Sequence, residues 1–471
     1  MIFADLFFIY IFLPLNIIIY YSSGNKTFRN IVLIAFSMFF YAWGEPVWMY
    51  LLIITAFVDY GLARLIENQH TVKNKKIMLV IATIINLASI AVFKYSGFFV
   101  ENINAILSLN LPVPKFALPI GISFYTFQAL SYLVDVYRGD VKAQKNPAKF
   151  LLYLSMYHQL VAGPIVRYSD IAEEIDNRRT SSVEISRGLS RFIVGLAKKV
   201  MLANMAGVFA AEYLDGDLTK LSSGGAIFGI IMFTLQIYFD FSGYSDMAIG
   251  LGMVFGFHYH ENFNYPYISQ SVTDFWRRWH ISLSSFFRDY VYIPLGGNKK
   301  HRIFNICVVW ALTGLWHGAS WNFVLWGLYF CVLLIIEKAF LLKVLEKIPS
   351  VFRHIYALIT IVFGWALFYF TDMTRLGQFF KAMFTGGFDD ISLEIKLSSN
   401  CFWIIAALIA CLPVIPFIKK KWKEKHIECN GHIGYTIAED ITRTVFTVVL
   451  LGLCTILLAG KTYNPFLYYR F

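Results

Sequence analysis

Two histidines stand out by their surroundings. His317 lies in the stretch Thr313-Gly314-Leu315-Trp316-His317-Gly318-Ala319-Ser320-Trp321-Asn322-Phe323, between two apolar runs. His280 lies in FWRRWHISLSSFFRDYVYIPLGGN, residues 275–298. An unperturbed imidazole has a pKa of about 6.5, so at neutral pH it is mostly uncharged and can accept a proton. A neutral base at membrane depth can take the proton of a hydroxyl as that hydroxyl attacks an electrophile. Ionisable groups between apolar helices are functional candidates by default. The competing reading of His317 is a histidine hydrogen-bonded for helix packing, and that of His280 is an ordinary interfacial residue. Gly314 and Gly318 leave room for a substrate to approach the backbone. Asn322 is a candidate to fix a tautomer or polarise a carbonyl. His258 and His260 form H-x-H, but no Cys or acidic cluster stands at a metal-binding spacing from them, so no metal site is expected.

The elements that must hold these groups are membrane helices. The chain has 471 residues, of which 58% are hydrophobic and 15% charged, with mean hydropathy +0.58. A soluble domain carries about 25% charged residues. Apolar runs at 2–21, 30–60, 77–93, 116–137, 188–209, 224–256, 303–316, 320–341, 354–371, 401–418 and 441–459 predict about eleven transmembrane helices. The backbone must be helical where it meets lipid, so the fold class is all-α and polytopic. The run 30–60 is interrupted by Trp43-Gly44-Glu45-Pro46, which predicts two short helices and a tight turn. The segment 148–166 is short, ends in Gly163-Pro164 and reads as re-entrant. The N-terminus lacks a basic region and a small-residue cleavage site, so it reads as a retained helix. No repeat or linker divides the chain, and residues 1–471 read as one membrane domain.

The net charge of +11 raises the question of nucleic acid. Topology answers it better. The loops 22–30, 61–76, 138–149, 167–187, 258–302, 338–353 and 419–425 hold 29 of the 41 Lys and Arg. These loops are expected in the cytoplasm. The loops 94–115, 210–223 and 372–400 and the tail 460–471 hold 8 and are expected outside. The six cysteines lie mostly inside apolar runs with no C-x-x-C, so free thiols are expected.

Within 275–298, Trp276, Trp279, Leu283, Phe286, Phe287 and Tyr290 follow one helical face, with Arg277, Arg278, Ser285, Arg288 and Asp289 on the other. The pattern predicts an amphipathic interfacial helix ended by the turn Pro294-Leu295-Gly296-Gly297.

The blocks WRRWHISLSSFFRDYVYIPLGG and LTGLWHGASWNFVLWG resemble the membrane-bound O-acyltransferase (MBOAT) family, in particular its bacterial polysaccharide O-acetyltransferase branch, which includes the alginate O-acetyltransferase membrane subunits. The resemblance runs from FADLFFIYIFLPL through SFYTFQALSYLVDVYRG and VAGPIVRY to the last residues. It implies a ring of helices around a central tunnel, a catalytic histidine at His317 and a second important histidine at His280. It implies a cell-membrane enzyme that takes acetyl-coenzyme A as a donor substrate and holds no bound cofactor. Trp276, Arg277, Arg278 and Asn322 are candidates for the donor site.

The tail Asn464-Pro465-Phe466-Leu467-Tyr468-Tyr469-Arg470-Phe471 resembles the F-I-Y-F-x-F ending of polysaccharide-modifying members. The resemblance implies that Tyr468 carries the acyl group as an ester, then passes it to an extracytoplasmic SGNH-type partner and finally to a polysaccharide. Tyr469 stands where the pattern has phenylalanine. Read from composition alone, the tail is an aromatic interfacial anchor. Three other functions stay open from the sequence: D-alanyl transfer to teichoic acid, a scaffold that only docks the acylating partner, and a glycan transporter. The last is motivated by Asp59, Asp135, Asp240 and Asp246 within apolar runs.

Overall fold

The computed structural model describes residues 1–160, 163–460 and 466–467, with the side chains of 425–436 set aside. It is helical, with no strand among the described residues. Helix α1 (Lys26–Gly44) and helix α2 (Trp48–Asn68) are separated at Glu45-Pro46-Val47, as expected. Both are of spanning length rather than short. Helix α3 (Val72–Leu107) carries a π-helical turn at Ala91–Tyr95, and α4 (Ile122–Arg138) follows a loop. The segment 148–166 contains two short helices, Pro147–Ser155 and Tyr157–Leu160.

Helices α5 (Ser182–Leu214) and α6 (Ser223–Phe255) form the centre of the fold. The most apolar window of α6 is 78% buried, which makes it the hub rather than a lipid-facing span. Small residues let it cross α5 closely. A Cβ added to Gly195 would lie 2.4 Å from the Gly243 carbonyl oxygen, and one added to Gly188 would lie 2.6 Å from that of Gly250. The two backbones therefore touch at both levels. One buried cluster gathers mainly the N-terminal helices and another mainly the C-terminal ones, and α6 contributes to both.

Among the described residues, seven helices are long and apolar enough to cross a bilayer, and the bent pair Ile391–Ser399 and Cys401–Ala410 would make eight. The sequence expectation of about eleven also counted runs that fold into shorter helices. Among these are α4 with 17 residues, α9 (Arg302–His317) with 16 and α10 (Trp321–Ile336) with 16. Helix α11 (Ser350–Tyr369) packs beside α10. The expected break between 418 and 441 is absent, because Val414–Leu458 forms one helix, α12, of 45 residues. Its lysine-rich stretch at 419–423 is made of good helix formers. Five cysteines are free thiols, and the Cys429 side chain lies outside the described residues.

The segment 275–298 also differs from expectation. It is not one amphipathic helix but a chain of short turns: Val272–Arg278 (α7), Ile281–Phe287 (α8) and a π turn at Arg288–Tyr292. The break falls at Trp279-His280, and His280 has φ of +44°. Trp279 and His280 are both buried, so the aromatic face meets protein rather than lipid.

Candidate active site

His280 is delivered inward by the break between α7 and α8. A non-glycine residue in the left-handed region costs of order 1–3 kcal/mol and persists only where its surroundings enforce it. Here the loop stretch 262–264 enforces it. The amide of Asn264 donates to the Arg278 carbonyl at 2.9 Å, and that of Ile281 donates to the Asn262 carbonyl at 2.9 Å. The broken helix thereby loses little backbone bonding.

The Asn262 side chain then sets the tautomer of His280. Its Oδ1 accepts from the Ser282 backbone N–H at 3.2 Å and from the Ser282 hydroxyl at 2.9 Å. A backbone N–H can only donate, which identifies this atom as the amide oxygen. His280 Nδ1 lies 3.1 Å from the same oxygen and must therefore carry the proton. The lone pair of the neutral ring is left on Nε2, which has no hydrogen-bond partner among the described residues. The amide nitrogen of Asn262 donates to Ser245 on α6 at 3.1 Å, tying the assembly to the hub.

Helix α7 is anchored at its start by a remote carboxylate. Glu337, buried just after α10, accepts from the backbone amides of Val272 and Thr273, both at 2.7 Å, and from the Thr273 hydroxyl at 2.6 Å. Tyr356 of α11 donates to it at 3.1 Å. A negative charge at a helix N-terminus satisfies open donors and complements the macrodipole.

His317 is the last residue of α9. Helices α9 and α10 form a tight antiparallel hairpin, because Gly314 and Gly327 bring the backbones together. A Cβ on Gly314 would lie 2.5 Å from the Phe323 carbonyl oxygen, and one on Gly318 would lie 2.2 Å from the Phe323 ring. The room that the glycines leave is thus taken by α10, not by open space for substrate. The π turn of α3 closes the other side. Lys94 donates to the Trp316 carbonyl and Tyr95 to the Leu315 carbonyl, both in the last turn of α9. Helices end with unsatisfied carbonyls, and a cation is favourable there.

The two histidines meet across Trp316. Its ring centroid is 4.9 Å from that of His317 and 5.8 Å from that of His280. Trp326 at 4.9 Å and Phe368 at 5.2 Å complete an aromatic cage around His317, which keeps 6% exposure. Such a cage shields the imidazole from bulk water.

The other expected residues fall at different distances from this centre. Trp276 packs edge-on against Trp326 at 5.5 Å, one ring removed from His317. Arg277 is exposed, and Arg278 is occupied by Asp274 at 2.9 Å. Asn322 is buried, and its amide donates to the carbonyls of Leu367 and Phe368 at 3.3 and 3.2 Å. It therefore positions Phe368, a wall of the cage. Tyr468 and Tyr469 lie outside the described residues. His258 is held by Glu174 at 2.6 Å, and His260 lies 3.6 Å from Asp170.

The four acidic residues of the transport reading all have partners. Asp59 accepts from Asn86 at 2.7 Å, Asp135 from Tyr290 at 2.8 Å, Asp240 from Lys199 at 2.5 Å, and Asp246 from Lys198 at 2.6 Å. Each is thus engaged by another side chain of the protein.

Sequence reasoning passed over Lys94, Asn262 and Glu337. Glu337 is a charge inside an apolar run and Lys94 directly follows one, which was a usable signal. Asn262 sits in a loop with no periodicity, and nothing in its spacing marks it.

The MBOAT family model, that of the membrane-bound O-acyltransferases, matches residues 141–379, which span α7 to α10 and both histidines. The chain belongs to the membrane-bound O-acyltransferase family. It is an acyltransferase and a multi-pass membrane protein. Among the relatives of this MBOAT chain is the probable alginate O-acetylase AlgI of Pseudomonas putida, 35% identical with all of both chains covered. The peptidoglycan O-acetyltransferase of Helicobacter pylori is 29% identical, with 98% of this chain and 96% of the relative covered. The teichoic acid D-alanyltransferase of Bacillus subtilis is 28% identical over 46% of this chain and 58% of its own length.

Proposed function

We propose that the chain moves an acetyl group from cytoplasmic acetyl-coenzyme A, through the cell membrane, towards O-acetylation of an extracytoplasmic polysaccharide. The observation that carries this reading is the pair of buried histidines on either side of Trp316 in an acyltransferase fold. Relatives matched over nearly their whole length are named for O-acetylation of alginate and of peptidoglycan. The D-alanyltransferase relative matches less than half of the chain, which disfavours that alternative.

In this mechanism the Tyr468 phenol oxygen attacks the thioester carbonyl while His317 takes the phenol proton. The tetrahedral intermediate collapses with loss of the carbon–sulfur bond. The leaving thiolate receives the proton from His317, and acetyl remains as a tyrosyl ester. A serine of an SGNH-type partner then attacks that ester and releases the phenol, and a polysaccharide hydroxyl takes the acetyl from the serine. His280, with its Nε2 lone pair available, stands across Trp316 to accept a hydrogen bond. Holding the reactants in a narrow cage adds proximity to the base catalysis.

The test is intact-mass analysis of the C-terminal peptide after incubating the purified chain with isotope-labelled acetyl-coenzyme A. The wild type gains acetyl on the tail, and His317→Ala lowers the rate by about 10²–10⁴-fold. An unmodified tail in a transfer-competent preparation would refute the tyrosine carrier. In cells, His317→Ala abolishes glycan acetylation and leaves glycan export intact; lost export with normal acetylation would favour a transporter.

A further inference from the structure

Near the middle of α6 lies a charge pair that the histidine site does not use. Asp240 is 3% exposed and Lys199, from the π turn of α5, is 4% exposed. Their closest approach is 2.5 Å through Asp240 Oδ1. A buried pair is weak as a source of stability, because desolvation offsets much of the attraction. Such pairs in membrane helices more often mark a functional position. The second carboxylate oxygen shows what this one holds. Asp240 Oδ2 accepts from the backbone N–H of Leu467 at 2.7 Å. The preceding residue, Phe466, is 2% exposed. Its ring lies under Lys199 Nζ at 4.8 Å and edge-on to Tyr244 at 4.4 Å. Phe466 and Leu467 are therefore seated in the hub of the molecule, against α5 and α6.

The seat adjoins the histidine site. Phe241, the next residue after Asp240, packs edge-on against His280 with centroids 4.6 Å apart. Tyr468 follows Leu467 directly in the sequence.

We infer that the Lys199–Asp240 pair is a docking seat for Phe466 and Leu467 of the chain's own C-terminal segment, with Asp240 holding the Leu467 amide. These are positioning residues. Lys199 holds one carboxylate oxygen of Asp240, and the other accepts from the Leu467 N–H. A backbone N–H read by a carboxylate is insensitive to the side chain at 467, while the Phe466 ring supplies apolar and cation–π contact. The link to acyl transfer rests on the proposed role of Tyr468; the seat itself does not.

The test uses the full-length chain in detergent. Leu467→Pro removes the N–H that Asp240 accepts and leaves the core charges intact, whereas Leu467→Ala keeps the N–H. Tail release is read as the rate of C-terminal trimming by a carboxypeptidase, and acetyl load by intact mass. A hydrogen bond to a charged group corresponds to roughly ten- to a hundredfold in occupancy. Leu467→Pro is expected to be trimmed faster than Leu467→Ala by about that factor, and to carry correspondingly less acetyl, with an unchanged melting midpoint. Asp240→Leu should match Leu467→Pro; if that variant does not fold, the pair at 467 decides alone. Equal trimming of the two 467 variants overturns the seat. So does an acetyl load that falls without faster trimming. Fast trimming of Leu467→Pro together with a wild-type tail that never carries acetyl supports the seat and overturns the carrier role of Tyr468.

Discussion

The tautomer of His280 hangs on one neutral amide. Asn262 Oδ1 collects Nδ1–H of His280 together with two donors of Ser282, so removing it leaves three polar groups to rearrange. Asn262→Ala is expected to lower kcat by roughly tenfold, the equivalent of about 1.4 kcal/mol, because Nε2 is then no longer held as the acceptor. Steady-state kinetics with acetyl-coenzyme A checks this, and an unchanged kcat would show that His280 is oriented by its ring contacts instead. The two core histidines were legible as candidates because ionisable groups between apolar runs need a reason to be there. The role of Asn262 was not legible, because it depends on a loop folding back across eighteen residues to reach its histidine.

At the scale of elements, the site depends on interrupted helices. The break at Trp279-His280 turns a helical stripe into a delivery device, and the π turn at Ala91–Tyr95 aims Lys94 and Tyr95 at the end of α9. π turns recur at functional sites because they re-aim a side chain without ending the helix. Glu337 sits at the start of another π turn and caps α7 from outside it. Glu337→Ala should cost about 1–3 kcal/mol for each buried donor left unmet. Thermal unfolding in detergent would show a lowered midpoint, and Glu337→Gln, which keeps one acceptor oxygen, would be milder. An equal midpoint for both variants would mean that water replaces the carboxylate. The aromatic spacing of 275–290 predicted helical character correctly and its continuity incorrectly. Periodicity reports which residues share a face, but not that His280 is held in the left-handed region by a neighbouring loop.

At the scale of the molecule, charge and packing make separate predictions. The loop charges place residues 94–115 outside and 258–302 in the cytoplasm. In a Cys307→Ser background, an impermeant maleimide on intact cells should label Ser108→Cys, and should label Lys299→Cys only after lysis. The reverse pattern would invert the assigned orientation. The tail places a further demand on the architecture, since Phe466 and Leu467 are buried in the hub rather than lying on the surface as an interfacial anchor would. Phe466 and Leu467 are in this sense part of the core.

Composition by itself determined that this is a helical membrane protein, since a chain with 58% hydrophobic and 15% charged residues cannot be covered by polar surface. The two motif blocks by themselves indicated the acyltransferase family. Only the tertiary structure decided that Gly314 and Gly318 serve the hairpin of α9 and α10, that Asn322 holds Phe368, and that Asp240 holds the tail. The physical reason is distance along the chain. Hydropathy and periodicity are local properties, whereas each of those assignments rests on a contact between segments that only packing brings together, in the last case residues 240 and 467.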